Sequence, residues 1–424
     1  MIQFDSAATP RRAALIFIFI TVVLDVLALG MIIPVLPNLV AGFLGNNTAR
    51  AAEIYGLFGT IWALMQFFFS PVLGALSDRF GRRPVILISN FGLGLDYVLM
   101  ALAPTLGWLF VGRVISGITA ASIPTAYAYI ADVTPGEKRA AAFGMVGAAF
   151  GLGFVLGPAL GGMLGSVDPR LPFWVAAGLS LANALYGLFV LPESLPRESR
   201  ARFEWRKANP VGSLKLLRRH PELLGLATVN FLAALAHEVL PHVSVLYAGY
   251  RYGWNERDVG FMLAGVGVCA AVVQGGLIRP TIHRFGQRAV LLGGLIFGAA
   301  GFAIYGLAST GAVFWIGVPV MSLWGLAGAA AQGLMTRHMA PSEQGQLQGA
   351  NSSLRGIAGL FGPGLFTLTF ASFIEERRDW QLPGAPFFLA ASLLVVALAV
   401  GWSVTKPAPS VAHRVQPQPN NPLD

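Results

Sequence analysis

The sequence predicts an all-α membrane protein of twelve transmembrane helices in two six-helix, pseudo-symmetric halves, and three observations predict it. The composition is too apolar for a solvated surface: hydrophobic residues fill 55% of the 424 positions and charged residues only 12%, against roughly 25% charged in an ordinary soluble domain. Apolar runs of about twenty residues recur along the chain, each long enough at about 1.5 Å per residue to cross a hydrocarbon core of roughly 30 Å. One long polar interruption, with the same features on both sides of it, divides them. The spans must be helices, because backbone groups in lipid have to be satisfied within the segment.

In chain order the spans are expected at 13–37, 54–76, 84–104, 106–131, 141–165, 172–192, 223–248, 258–280, 289–308, 312–338, 345–373 and 385–404. The first follows Arg11 and Arg12, but its length and its Asp25, Pro34 and Pro37 distinguish it from a cleaved signal peptide. The second and third are joined by a short loop, GALSDRFGRRP at 74–84. Leu195 to Pro221, rich in Arg, Glu and Pro, separates a first half (1–194) from a second (222–424) that ends in a short tail. The lone Cys269 lies within the eighth span, which leaves no disulfide and no cysteine metal site.

The halves read as a duplication with one constant offset of 205 residues: Arg79, Phe80, Gly81 and Arg83 recur as Arg284, Phe285, Gly286 and Arg288, Gly157 and Pro158 as Gly362 and Pro363, and Asp25 as Asn230.

The net charge of +9 could suggest a nucleic-acid partner, so its distribution decides. With the amino terminus in the cytoplasm, Arg79, Arg82, Arg83, Lys138, Arg139, the 197–219 loop, Arg279, Arg284, Arg288, Arg337 and Lys406 all fall on one side. Only Arg50, Arg170, Arg251, Arg257, Arg377 and Arg378 fall on the other. That asymmetry puts both termini in the cytoplasm, and solvated loops facing anionic headgroups account for the charge with no nucleic acid. The four lysines, at 138, 207, 215 and 406, include none in a phosphate-binding loop, so ATP is not the expected energy source.

Ionisable residues inside the spans are few and costly to keep there. Counted inward at about 1.5 Å per residue, Asp25, Asp96, His237 and Glu238 lie roughly 18 to 22 Å from the cytoplasmic helix ends, and Arg113 about as deep from outside. A packing role for each is the plain alternative. A carboxylate in low dielectric favours its neutral form, so it can load a proton on one side and release it on the other. If it also binds a cationic or metal-chelated substrate, the competition gives antiport. In the 74–84 loop, glycines permit a tight reversal and Pro84 suits a first helical turn. Asp78 sits at the carboxyl end of its helix, where the macrodipole disfavours an anion, and therefore needs Arg82, Arg83 or another helix's amino end.

This loop, with Gly74, Asp78, Arg79, Gly81, Arg82 and Arg83, resembles the signature loop of the major facilitator superfamily. GFVLGPALGG at 153–162 (Gly153, Gly157, Pro158, Gly161, Gly162) resembles the fifth-helix motif of its drug/proton antiporter branch, and LGWLFVGRVISGITAAS at 106–122 the fourth-helix motif with Arg113 as its buried cation. LDVLALGMIIPVLP at 24–37, SDRFGRRP at 77–84, the run Leu95, Asp96, Tyr97, GRVISGITAA at 112–121 and QGQLQG at 344–349 are similar to the bacterial tetracycline/proton antiporters.

The resemblance implies the major facilitator fold, no enzymatic activity, no cofactor, a bacterial cytoplasmic (inner) membrane location, function as a monomer, and proton-coupled efflux of tetracycline or other drugs, a metal-chelated drug among them. In that fold the first, fourth, seventh and tenth helices line a central cavity, which would gather Asp25, Arg113, Asn230, one of His237 and Glu238, and Gln332 around one space. Adjacent His237 and Glu238 are not expected to point the same way. Trp62, Gln66 and Phe67, with Tyr127 and Tyr129, are candidate contacts for a planar drug, or core. Asp78 and its arginines would latch the halves on the cytoplasmic side.

One departure stands out. The family's ninth-span aspartate is expected where this chain has Phe297, and that span has no acid. Either Glu238 has taken over part of the coupling, or the substrate is another small metabolite, imported or exported. A non-transporting sensor or scaffold is the rival from another class.

Overall fold

The computed structural model describes residues 8–201, 212–214, 216–217, 220–337, 339, 343–375 and 381–406; of residues 8–14 only the backbone is described. Much of the central polar loop, the 376–380 segment with its two arginines and the tail beyond 406 therefore lie outside the described residues.

Eleven helical segments among the described residues are long and apolar enough to cross a membrane. One of them, Glu256–Leu307, is 52 residues long, about 78 Å at 1.5 Å per residue, more than twice a hydrocarbon core. Inside it the chain leaves helical geometry at Gly286 (φ 77°, ψ 159°), so it comprises two spans and the expected twelve are all present. In order they are Ala8–Ile32 continued by Leu36–Phe43, Thr48–Phe80, Arg82–Leu102, Leu106–Thr119 with Ser122–Val133, Gly136–Gly165, Leu171–Val190, Leu224–His237 with Val239–Tyr252, 256–285, 287–307, Gly311–Ser322 with Gly325–Arg337, Gln344–Ile374 and Ala385–Val404.

Several helices begin before their apolar runs because polar caps extend them. Asn47 accepts the Arg50 N–H at 3.0 Å and starts the second span at Thr48. Asn255 and Asp258 form a reciprocal capping box at the start of the eighth.

The duplication is visible in the backbone. Gly81 (φ 109°, ψ 163°) and Gly286 turn the chain in nearly the same conformation, one that L side chains rarely adopt. The first, fourth, seventh and tenth spans are each broken midway, between Ile32 and Leu36, Thr119 and Ser122, His237 and Val239, and Ser322 and Gly325. These are the spans expected to line the cavity. The eighth carries a π-helical turn at Val273–Leu277, a form that often marks functional positions.

The two halves pack together from one end inward, as far as Gly356 against Phe67, and part beyond it. Gly162 packs against the backbone of Glu256 and Gly260, Gly56 against Thr367, and Gly59 against His242 and Pro363. Asn38 donates to Glu256 at 3.0 Å, and the Tyr55 hydroxyl donates to the Pro241 carbonyl at 3.3 Å. At the other end, which carries the start of the first span and the turn at Gly81, Gly144, Gly147, Gly151, Gly275 and Gly276 face open space. Small residues make the closed seam possible by letting helices approach to backbone contact.

Candidate transport cavity and buried charges

Between the halves lies a cavity of about 1540 Å³ that opens at the separated end. Its wall is mostly apolar, with the polar side chains coming mainly from the second half: Asn230, His237, Glu238, Gln274, Gln332, Asn351 and Arg355. Tyr127 lines the first-half side, half-exposed and packed against Phe143 with ring centroids 5.6 Å apart.

Both His237 and Glu238 reach the cavity, contrary to the expectation from their adjacency. At Glu238 the regular helical bonding is interrupted, its N–H reaching the Leu235 carbonyl at 3.1 Å, while the backbone stays right-handed helical (φ −62°, ψ −18°). The Trp324 ring, at the break in the tenth span, lies 5.9 Å from the His237 ring. Deeper along the seventh span the Glu238 carboxylate comes within 3.4 Å of His242 Nδ1, which also contacts the Glu238 carbonyl at 2.9 Å. Gly362 leaves the room that the Glu238 stem occupies. His242 in turn packs on Gly59 and beside the Tyr55 ring, on the closed seam between halves.

The amides form a chain. Asn230 donates to Asn351 Oδ1 at 3.4 Å, Asn351 donates to Gln332 Oε1 at 3.0 Å, and Gln332 Nε2 donates to Thr336 Oγ1 at 3.4 Å.

The expectation that Asp25 and Arg113 share this space is corrected. Neither lines the cavity, nor do Asp96 and Gln66. Asp25 is turned toward the sixth span, where Asn183 Nδ2 donates to its Oδ1 at 3.0 Å, while Oδ2 is buried without a partner. Asp96 is fully buried, its Oδ2 3.8 Å from Arg113 NH2, a distance at which charge is offset but no hydrogen bond forms. Arg113 donates to Ser116 Oγ at 3.3 Å, as does the Trp62 indole. Gly112 allows this packing, because a Cβ there would lie 2.6 Å from Asp96 Oδ1. Facing within each helix sorts the charges into a buried cluster in the first half and a cavity set in the second.

Of the two readings of Tyr129, drug contact or core, the structure takes core: its hydroxyl donates to the Pro192 carbonyl at 3.0 Å. Phe297 is exposed and is not part of the cavity wall, so an acid at that position would not enter the cavity.

In the loop, Asp78 is compensated by Arg82, which also binds Asp132 (Nε to Oδ2, 3.0 Å) and Ser77. Glu193 completes this corner: its Oε1 accepts the Arg82 N–H at 2.8 Å, placing an anion at the amino end of the third span. Arg83 reaches the Leu188 carbonyl, Arg79 lies over the Phe80 ring, and Gly74 faces open space. All these partners belong to the first half.

The fifth-span motif is a packing rail. Gly153 meets Val26, Gly157 meets Gly30 and Gly161 meets Met31 on the first span, while Gly162 turns to the eighth and Pro158 touches Gly30. Sequence reasoning missed His242, Asn351, Arg355, Glu193 and Asp132. Of these Arg355 lies within the span expected at 345–373, beside the polar run Asn351, Ser352 and Ser353.

Comparison with known proteins gives the setting. Residues 18–363 match the family model described as Major Facilitator Superfamily. The chain is 37% identical to the tetracycline resistance protein, class C, of Escherichia coli, over 91% of this chain and 95% of that one. It is 35% identical to the class D protein of Salmonella ordonez, over 95% and 99%. Its backbone resembles the crystal structure of the nucleoside transporter NupG with a TM-score of 0.73 at 12% identity, covering 93% of this chain and 100% of that one.

Proposed function

The chain belongs to the Major Facilitator Superfamily, and from that premise we propose that it exports tetracycline or similar planar drugs from the bacterial cytoplasm in exchange for protons. The observation that carries this reading is kinship at 35–37% identity, over nine-tenths of the chain, with two tetracycline resistance proteins. The cavity fits it: a large, mostly apolar space closed at one end, with a few convergent polar groups.

The units 1–194 and 222–424, joined by 195–221, rock about the cavity, both termini lying at the inner face of the cytoplasmic (inner) membrane. With that sidedness, taken from the charge asymmetry, the open end faces the cytoplasm and this is the drug-loading state. The glycine seam and the Asn38–Glu256 bond hold the outer end shut. In the alternate state that seam parts, and the 74–84 loop latches the inner end.

Protons are carried by Asp25, Asp96 and Glu238, with His237 beside them. Glu238 is the carboxylate of the cavity wall, so a proton competes there with a cationic or metal-chelated drug, and competition in an alternating carrier is antiport. Asp25 lies one layer away, oriented by Asn183 and with one oxygen free to take a proton. Its role is to report protonation to the first and sixth spans. Drug and proton sites lie within one chain, so a monomer suffices.

Expression in a susceptible bacterium should raise tetracycline resistance and lower drug accumulation, and a protonophore should cancel both effects. The ninth span's lack of an acid favours a second reading, export of a different small metabolite. Proton-driven uptake by inverted vesicles of a substrate panel, but not of tetracycline, would select it.

A further inference from the structure

The cavity wall holds two opposite charges that do not neutralise each other. Arg355 is the one Arg or Lys side chain, and Glu238 the one carboxylate, lining it among the described residues. No carboxylate of the described residues lies within 4.0 Å of Arg355; its NH2 donates to Ser352 on its own helix, at 3.3 Å. Glu238 is close by, since its Oε1 would lie 4.0 Å from a Cβ on Gly359, one helical turn beyond Arg355, or about 6 Å along the axis. Glu238 is instead engaged by His242.

One turn in the other direction, Asn351 shares the Arg355 face of the helix and is tied into the amide chain with Gln332 and Asn230. The Arg355 guanidinium is exposed to the cavity with no carboxylate of the described residues answering it, and its planar fork matches a group with two coplanar oxygens.

We propose that Arg355, with the Asn351 and Gln332 amides, is a subsite for a planar, delocalised oxyanion of the substrate, a carboxylate or an ionised 1,3-dicarbonyl. The opposite, cationic or metal-chelated end of the same molecule lies toward Glu238. The transported species is therefore dipolar, and Arg355 sets which end leads into the second half. This rests on the cavity being the substrate path and deepens the export reading by naming the substrate's charge pattern.

The test is binding to the purified full chain by fluorescence titration with two planar probes, fluorescein as the rigid carboxylate and ethidium as the cation. Wild type should bind fluorescein, and Arg355→Gln should weaken that binding by roughly tenfold or more, the scale of a lost charged hydrogen-bond pair. Ethidium affinity should hold or rise in the same variant. Arg355→Lys, which keeps charge but not the fork, should recover part of the fluorescein affinity, and unchanged ethidium binding certifies that the cavity is folded. Failure of wild type to bind fluorescein, or equal effects of Arg355→Gln on both probes, overturns the subsite. Tetracycline efflux by the wild type is read separately, so loss of the export reading and loss of the subsite give different results.

Discussion

At the scale of single residues, transport turns on which side chains are kept in the membrane at a cost and what each faces. Asp25 is buried, with one oxygen bonded to Asn183 and the other without a partner. Asp25→Asn preserves the Asn183 geometry but removes the proton, so gradient-driven accumulation in inverted vesicles should be abolished while downhill exchange persists; full uphill transport would remove Asp25 from the coupling. If Glu238 shares the proton load and meets the substrate, Glu238→Gln should give an intermediate loss with a shifted pH profile. A wild-type profile across about pH 6 to 8 would reduce Glu238 to a packing residue. Outside the membrane, His220 is bonded to Glu222 at 2.9 Å and lies 3.6 Å from Glu343, at the start of the eleventh span. The Glu222 hydrogen bond first, then the Glu343 charge, raise His220 above the ordinary imidazole value of 6.5. A raised basic group stabilises the fold while charged: its contribution is complete below that ordinary value and fades as pH rises through the folded one. The melting-temperature gap between wild type and His220→Gln should therefore be widest in mild acid and close in mild alkali; a gap independent of pH would mean the ion pairs contribute nothing.

At the scale of elements, the twelve helices were legible because length and apolarity in a membrane leave the chain no alternative. Their internal breaks were not. Ala120 and Ala121, or Leu323 and Trp324, carry no breaking signal, and the breaks recur at matching places in both halves as a property of packing. Depth found Asp25, Asp96 and Arg113, but depth says nothing of facing, so a first-half cluster was read as part of the cavity. Arg355 was hidden beside Asn351, Ser352 and Ser353, a run that reads like the polar flank of a helix start. The glycine rail supports a prediction at this scale. Gly162→Val drives a branched side chain into the eighth span's backbone, an overpacking cost of about 1 to 3 kcal/mol. It should bias the carrier away from the state closed at this end, while Gly147→Val, facing open space, should be near neutral in that state. Cysteine accessibility at Asn38 and Arg257 would report it, and equal behaviour of the two variants would refute the seam.

At the scale of the whole molecule, one conformation implies its counterpart. The halves touch at the Asn38–Glu256 end and part at the Gly81 end, where Asp78 is bound by Arg82 of its own half and by Ala201 of the joining segment. If the loop latches the inner end in the other state, Asp78→Asn should slow turnover severalfold while drug affinity in the open state stays within about twofold, since Asp78 is remote from the cavity wall. Turnover at the wild-type rate would leave the loop a topological signal. The central claim, proton-driven export through this cavity, is tested most directly by tetracycline uptake into inverted membrane vesicles energised with a proton gradient. The expected result is accumulation against the drug gradient that collapses on adding a protonophore and is absent in Asp25→Asn vesicles. Uptake that merely equilibrates, or that is indifferent to the protonophore, would contradict it.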